Sequence, residues 1–221
     1  MKIENSVLKH YLKNVYFITG TAYAGKSTMV RMLAEKYDMF CCEENYHMAV
    51  SDIVATPEKY PDLCYNKSLK DWKEFVTRPP EEYERWIYAV GREAAEFEVA
   101  ELISIAKDRK VIVDTNIPLD ILKEISDYDH IVVMLCPQSM SVNRFFDRAD
   151  TDKHFLLNVI DSCDDSKAVM ENYRKGLELI NSKEHYDEYA NSGFFIVVRE
   201  DNGVDTKEEV CGKIAEHFGL N

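Results

Sequence analysis

Gly20-Thr21-Ala22-Tyr23-Ala24-Gly25-Lys26-Ser27 decides how the rest of the chain is read. It follows an apolar run, Val15-Tyr16-Phe17-Ile18, and opens a helical pattern from Lys26 to about Tyr37. The order is therefore strand, glycine-bounded loop, helix. The backbone N–H groups of such a loop can ring a phosphate, with no side chain in the way at Gly20 and Gly25. The helix N-terminus adds its positive dipole end and its unpaired donors. Lys26 then reaches the β- and γ-phosphates, the Ser27 hydroxyl suits Mg2+, and the backbone from Gly20 through Thr28 cradles the nucleotide. At average residue usage the pattern arises by chance in on the order of one per cent of chains this long. A plain glycine turn accounts for Gly20 and Gly25 but not for Lys26 beside Ser27.

The chain has 221 residues, enough for one α/β domain with a real core and an insertion. Its net charge is −13, so a broad nucleic-acid surface is not expected, because phosphate contacts need clustered Lys and Arg. No run approaches the roughly 18 apolar residues of a membrane span. The polar, mixed-charge start from Met1 to Asn14 does not read as a signal peptide. None of the six cysteines, Cys41, Cys42, Cys64, Cys136, Cys163 and Cys211, forms C-x-x-C or a zinc spacing with histidine. They read as reduced thiols of a cytoplasmic protein.

Outward from the glycine loop, the pattern predicts a short helix or arm over residues 1–14 and strands at Val15–Thr19, Met39–Cys42, Val111–Val113, Ile131–Leu135 and Phe194–Val198. Helices are expected over Lys26–Tyr37, with Met29, Leu33 and Tyr37 on one stripe, and over Glu82–Asp108. The second carries Tyr88, Ala95, Val99, Leu102 and Ala106 on one stripe and Arg85 and Arg92 on a shared face. Further helical segments are expected at Ser139–Asp161, broken near Asp150, and at Ser166–Tyr189. A last one runs from Thr206, whose Thr206-Lys207-Glu208-Glu209 fits a capping box, to about Phe218. Residues 45–80, punctuated by Pro57, Pro61, Pro79 and Pro80, read as an insertion of short helices. It is either a substrate cover or an elaboration packed on the sheet edge. Five β segments separated by helices argue for a parallel sheet with right-handed crossovers and with ligands at the carboxyl ends of its strands.

That rim collects the other candidates. Asp114 closes the third strand, where an acid beside a phosphate loop holds Mg2+; a turn-forming aspartate is the plainer reading. Glu43-Glu44 follows the second strand, where a carboxylate can bind an acceptor hydroxyl or take its proton. Glu43, next to the strand, is the first choice; two solvated acids are the plainer reading. Arg144 and Arg148 stand four apart after the fourth strand, placed to steady a transferring phosphoryl group, or else to pair with Asp147, Asp150 and Asp152 on the surface.

Together these residues resemble the small-molecule kinase branch of the P-loop NTPases, the nucleoside, nucleotide and shikimate kinase-like group. The likeness runs from Val15 to Phe218. The phosphate loop carries most of its specificity, and the other matches rest on order and placement. The resemblance implies a three-layer α/β/α fold with a five-stranded parallel sheet in the order 2-3-1-4-5. It implies a lid over about 139–161 with Arg144 and Arg148, and an acceptor grip from Arg92 or, second, Arg85. It also implies an adenine contact near Asp201-Asn202-Gly203. Two departures stand out: residues 45–80 match no acceptor pattern, and Tyr23 is bulky where many relatives carry a small residue. It is expected to point away from the phosphates, toward a base or the lid.

The function so implied is an ATP- and Mg2+-dependent transfer of the γ-phosphoryl group to a small-molecule acceptor: a nucleoside, a nucleotide or another hydroxyl compound. A nucleotide-dependent switch or an NTPase acting on a protein partner is the alternative. The Asn-Lys-x-Asp element of GTPases is missing after the fourth strand, which ends in Cys136-Pro137-Gln138-Ser139. A binding module without catalysis fits an intact Lys26, Ser27 and Asp114 poorly.

Overall fold

A computed structural model describes residues 3–147, 151–200 and 203–220. The apolar runs become strands β1 (Val15–Gly20), β2 (Phe40–Cys42), β3 (Val111–Asp114), β4 (Ile131–Leu135) and β5 (Phe195–Val198). They form one all-parallel sheet in the order β2-β3-β1-β4-β5. β1, β3 and β4 are buried along almost their whole length, as strands covered on both faces must be. Register places Ile18 opposite Asp114 and Gly20 opposite Met134, so the glycine loop leaves the sheet between the ends of its two neighbours.

Alternation along the strands divides the core. Tyr16, Ile18, Ile112, Val132 and Met134 face α2 (Lys26–Tyr37) and the C-terminal helix Lys207–His217. Val15, Phe17, Val111, Val113, Ile131 and Val133 face the long helix Pro80–Ile105 and the segment Leu119–Ile125. The result is three layers with the sheet in the middle. No helix among the described residues is long and apolar enough to cross a membrane.

The chain-order labels are α1 (Asn5–Tyr11), α3 (Met48–Val54), α4 (Tyr65–Ser68), α5 (Trp72–Thr77), α6 (Pro80–Ile105) and α7 (Leu119–Ile125). They continue with α8 (Gln138–Asn143), α9 (Thr151–Asp161), α10 (Ser166–Ile180), α11 (Lys183–Ala190) and α12 (Lys207–His217). Helix α6 starts on Pro80, which needs no N–H there and fixes the entry angle. Its 26 residues span about 39 Å, whereas β3, with 4, spans about 13 Å. α6 therefore rises well past the carboxyl edge of the sheet. Its lower half buries Ala95 and Leu102 on the sheet, and its upper half buries Tyr83 in a separate aromatic core. That core joins α5, α6, α8, α9 and α10 through Phe75, Tyr83, Val142, Ile160 and Tyr173.

Several expectations change. Tyr88 is not on the buried stripe of α6; it is partly exposed and stacks on His185 at 4.4 Å. The run Ser166–Tyr189 is two helices, α10 and α11, separated at Asn181-Ser182; the Ser182 hydroxyl accepts from His185 N–H at 3.4 Å and starts α11. The capping box at Thr206 does not form. Asp205 instead accepts from the Lys207 N–H at 3.1 Å. The helix expected to carry Arg144 stops short of it, and Arg148 lies outside the described residues. α8 ends at Asn143, Arg144 caps it, and a 3-10 turn at Phe145–Asp147 carries both phenylalanines onto Tyr173.

Candidate functional site

The glycine loop is shaped by its neighbours as much as by its own residues. Gly20 has φ +127°, and a Cβ there would sit 1.9 Å from the Met134 carbonyl oxygen. This glycine is required by the close approach of β4, where the sequence suggested phosphate access. Gly25 has φ +96° with nothing nearer than 3.9 Å to a Cβ, so its backbone conformation is what calls for glycine. Tyr23 takes a left-handed φ of 70° as well. Its ring packs against the core cluster on the α2 face of the sheet.

Three outside groups hold the loop's carbonyls. The Ser141 hydroxyl donates to Ala22 O at 2.7 Å, the Cys136 thiol to the same oxygen at 3.0 Å, and Arg199 Nη1 to Tyr23 O at 2.9 Å. All peptide bonds are trans among the described residues. A trans peptide points its N–H opposite its C=O, so the Tyr23 N–H points away from Ser141 and Cys136, while the Ala24 N–H donates to Thr21 O at 3.5 Å. Thr21 is pinned at both ends: its N–H donates to Met134 O at 3.0 Å, and its hydroxyl accepts from Cys136 N–H at 2.9 Å.

Lys26 begins α2 and folds over the loop, with Nζ 3.5 Å from both Gly20 O and Thr21 O and 3.9 Å from Asp114 Oδ1. The next residue, Ser27, donates from Oγ to Asp114 Oδ2 at 2.7 Å. Sequence placed Ser27 and Asp114 about ninety positions apart as two ligands of one ion, and the fold brings them into contact. A hydroxyl and a carboxylate are hard oxygen donors of the kind Mg2+ takes, together with water and phosphate oxygens. No group of three or more His, Cys, Asp or Glu able to hold a metal occurs among the described residues.

The two candidate acids after β2 diverge. Glu43 is exposed and gripped by Arg31 of α2 through two bonds of 2.7 Å, which hold its carboxyl below the usual carboxylate range. Glu44 turns the other way, accepting from Asn116 Nδ2 at 2.9 Å two residues beyond Asp114. Asn45, with φ 66°, makes the turn that follows. Arg92 pairs with Asp120 of α7, and Arg85 with Asp62 of the insertion at 3.2 Å. The shared face of these two arginines serves two different partners. Arg144 is exposed at the end of α8. Arg148, Asp201 and Asn202 lie outside the described residues.

Sequence reasoning missed a buried polar cluster beside these acids. Glu98 of α6 is 4% exposed and accepts from the Thr115 hydroxyl at 2.7 Å. The Tyr46 hydroxyl donates to Glu98 O at 3.1 Å and lies 3.5 Å from its Oε2. His47 Nδ1 is 4.0 Å from Oε1. Burial pushes Glu98 up to about 7, against the pull of Thr115 and Tyr46, and nearby Glu44 and Asp114 add to the rise. Burial pushes His47 down. A signal was present: Glu98 stands on the apolar stripe of α6, three after Ala95 and four before Leu102, where a charge has no business unless it is bonded. Thr115, Asn116, Ser141 and Arg199 carried no such mark; each is ordinary in sequence and acts only through the end of the strand it follows. No protein-family model matches the chain, and no curated protein matches it.

Proposed function

We infer that the chain is a P-loop kinase: an ATP- and Mg2+-dependent phosphotransferase that moves the γ-phosphoryl group to a hydroxyl of a small-molecule acceptor. The observation that carries this reading is the convergence of Lys26, Ser27 and Asp114 at one point beside the glycine loop. Lys26 neutralises the β- and γ-phosphates as charge shifts between them. Ser27 and Asp114 hold one Mg2+, which supplies charge neutralisation and orientation when bound. Arg144, with Arg148, steadies the transferring group.

Glu44 takes the acceptor's proton in this reading. The geometry favours it over Glu43, because Glu44 stands on the Asp114 side of the turn and Glu43 is occupied by Arg31. Residues 45–80 form the acceptor cover and about 139–161 the lid. Support comes from the shared aromatic core of the two, in which Trp72 of α5 meets Phe155 of α9 edge-on at 5.2 Å. A closing lid keeps water from the phosphoryl group. The partners are a nucleoside triphosphate and the acceptor. Six unbridged thiols suit a reducing, cytoplasmic compartment.

The test is MgATP turnover alone and against nucleosides, nucleotides, sugars and aromatic alcohols, with Lys26→Ala as control. Turnover that rises with one acceptor and disappears in Lys26→Ala supports the kinase. Slow hydrolysis that no acceptor stimulates sinks it in favour of a switch.

A further inference from the structure

We propose that Glu98 is a positioning residue that clamps the β2 and β3 loops together and so sets Asp114 for its cation. This rests on the phosphotransferase reading above and deepens it.

A carboxylate at 4% exposure inside a helix–sheet contact is an expensive choice where an apolar side chain of similar volume would pack. An apolar residue, however, cannot orient hydroxyls, and Glu98 orients two. Its Oε2 accepts a hydrogen bond from the Thr115 hydroxyl at 2.7 Å. That leaves the Thr115 oxygen to accept from the Ile117 N–H at 3.0 Å, while the Thr115 N–H donates to Ile18 O at 3.0 Å. Every polar group of Thr115 facing the core is thereby committed, and the chain reversal directly after Asp114 has one geometry. The same glutamate receives Tyr46, two residues beyond Glu44, through its backbone oxygen at 3.1 Å. The loops bearing Glu44 and Asp114 are also tied to each other by Asn116 at 2.9 Å. Glu98 thus ties both loops to one point on α6, its Oε2 taking Thr115 at 2.7 Å and Tyr46 at 3.5 Å and its backbone oxygen taking Tyr46 at 3.1 Å. β2 ends at Cys42 and β3 at Asp114, and the Thr115 N–H bond to Ile18 O of β1 ties the β3 loop to the sheet just beyond that end.

Consequences follow for the cation and not for the phosphates. Thr21, Ala22 and Tyr23 are held by β4, Cys136, Ser141 and Arg199, and none of these bonds involves Glu98. Loss of the clamp should leave metal-free ATP binding alone and weaken the gain in affinity that Mg2+ brings.

The experiment measures ATP affinity by calorimetry with Mg2+ and with chelator, for the wild type, Glu98→Ala, Glu98→Gln, Thr115→Val and Thr115→Ser, each checked for folding by circular dichroism. In Glu98→Ala and Thr115→Val, metal-free affinity stays within about twofold and the Mg2+ enhancement drops about tenfold. Glu98→Gln keeps an oxygen that accepts from Thr115, and Thr115→Ser keeps the hydroxyl; both return to within about threefold of the wild type. Thr115→Val is nearly isosteric, so it decides the matter if Glu98→Ala does not fold. If wild-type ATP binding gains from Mg2+ and the Ala and Val variants gain equally, the clamp is wrong and the nucleotide reading stands. If the wild type binds no ATP, the reading beneath it fails and the clamp falls with it.

Discussion

Ser27 Oγ lies 2.7 Å from Asp114 Oδ2, a hydrogen bond between the first turn of α2 and the last residue of β3. It joins the two side chains proposed above to hold a phosphate-bound cation, and it depends on β1 and β3 being neighbours in register. Asp114→Asn keeps the volume and removes the charge; Ser27→Ala removes the hydroxyl. MgATP turnover is expected to fall about 100-fold in Asp114→Asn and at least tenfold in Ser27→Ala, with metal-free nucleotide affinity little changed. Titrating Mg2+ at fixed ATP checks this; an unaltered Mg2+ dependence in Asp114→Asn rules out the assigned role.

Glu43 and Glu44 differ by one position and face opposite neighbours. The Arg31–Glu43 pair is more than half exposed on both sides, so it contributes no more than about 1 kcal/mol. Glu43→Ala should keep acceptor-dependent turnover within about threefold and move the melting temperature by a degree or two. Glu44→Gln should lower turnover about 100-fold, the usual scale for a lost general base. Steady-state kinetics on the two single variants separates them, and a larger loss in Glu43→Ala reverses the assignment.

This pair also shows where sequence reading stops. The strands and the candidates Lys26, Ser27 and Asp114 follow from patterns local in the chain, namely an apolar run, a glycine-bounded loop and an acid closing a strand, whereas the strand order comes from the resemblance and matches the sheet. Which way two adjacent glutamates turn depends on Asn45 taking a left-handed φ and on Arg31, twelve positions earlier, reaching one of them. The roles of Ser141, Cys136 and Arg199 depend on strand-end geometry that no local pattern encodes. The early stop of α8 comes from Phe145 and Phe146 leaving for Tyr173, a contact more than twenty-five positions away. Glu98 alone left a trace, as a charge on an apolar stripe.

The two loop glycines should fail differently. A methyl at position 20 meets the Met134 carbonyl oxygen at 1.9 Å, and backbone in a central strand cannot move aside. Gly20→Ala is expected to lose more than about 4 kcal/mol or to give no folded protein. At Gly25 the same methyl finds space, and only the φ of +96° resists it. Gly25→Ala should fold with a loss of about 1–3 kcal/mol. Denaturant melts of the two variants, run together, test the contrast; equal losses refute it.

Arg78 sits among four rings, 4.1 Å from the Phe75 centroid, 4.4 Å from Trp86, 4.8 Å from Tyr83 and 5.1 Å from Tyr65. Its Nε and Nη2 are buried with no hydrogen-bond partner among the described residues, and burial lowers its pKa. Ring attraction and packing favour the side chain, while desolvation opposes the charge. Arg78→Ala should destabilise by about 2–4 kcal/mol, and Arg78→Met, which keeps most of the volume, by less than about 1 kcal/mol. Urea unfolding distinguishes them. Equal damage from both variants means that the rings require the charge itself.

Glu98 gives the chain a stability that depends on pH in an unusual direction. Its carboxyl is raised from the ordinary 4.5 to about 7, chiefly by burial. The native state therefore holds a proton that the unfolded chain has released anywhere between those values. Stability from this group is fully present below about pH 4.5 and is lost as pH rises through 7, by on the order of 3 kcal/mol. His47, lowered by burial, acts the opposite way, losing stability as pH falls below its unfolded value. The net curve of the wild type mixes the two, so the difference between wild type and Glu98→Gln is the quantity to measure. Glu98→Gln cannot titrate at this position. Its stability relative to the wild type should rise between pH 5 and pH 8 and level off above, as read by urea melts across that range. A flat difference means that Glu98 is ionised throughout, held by Thr115 and Tyr46 strongly enough to overcome its burial.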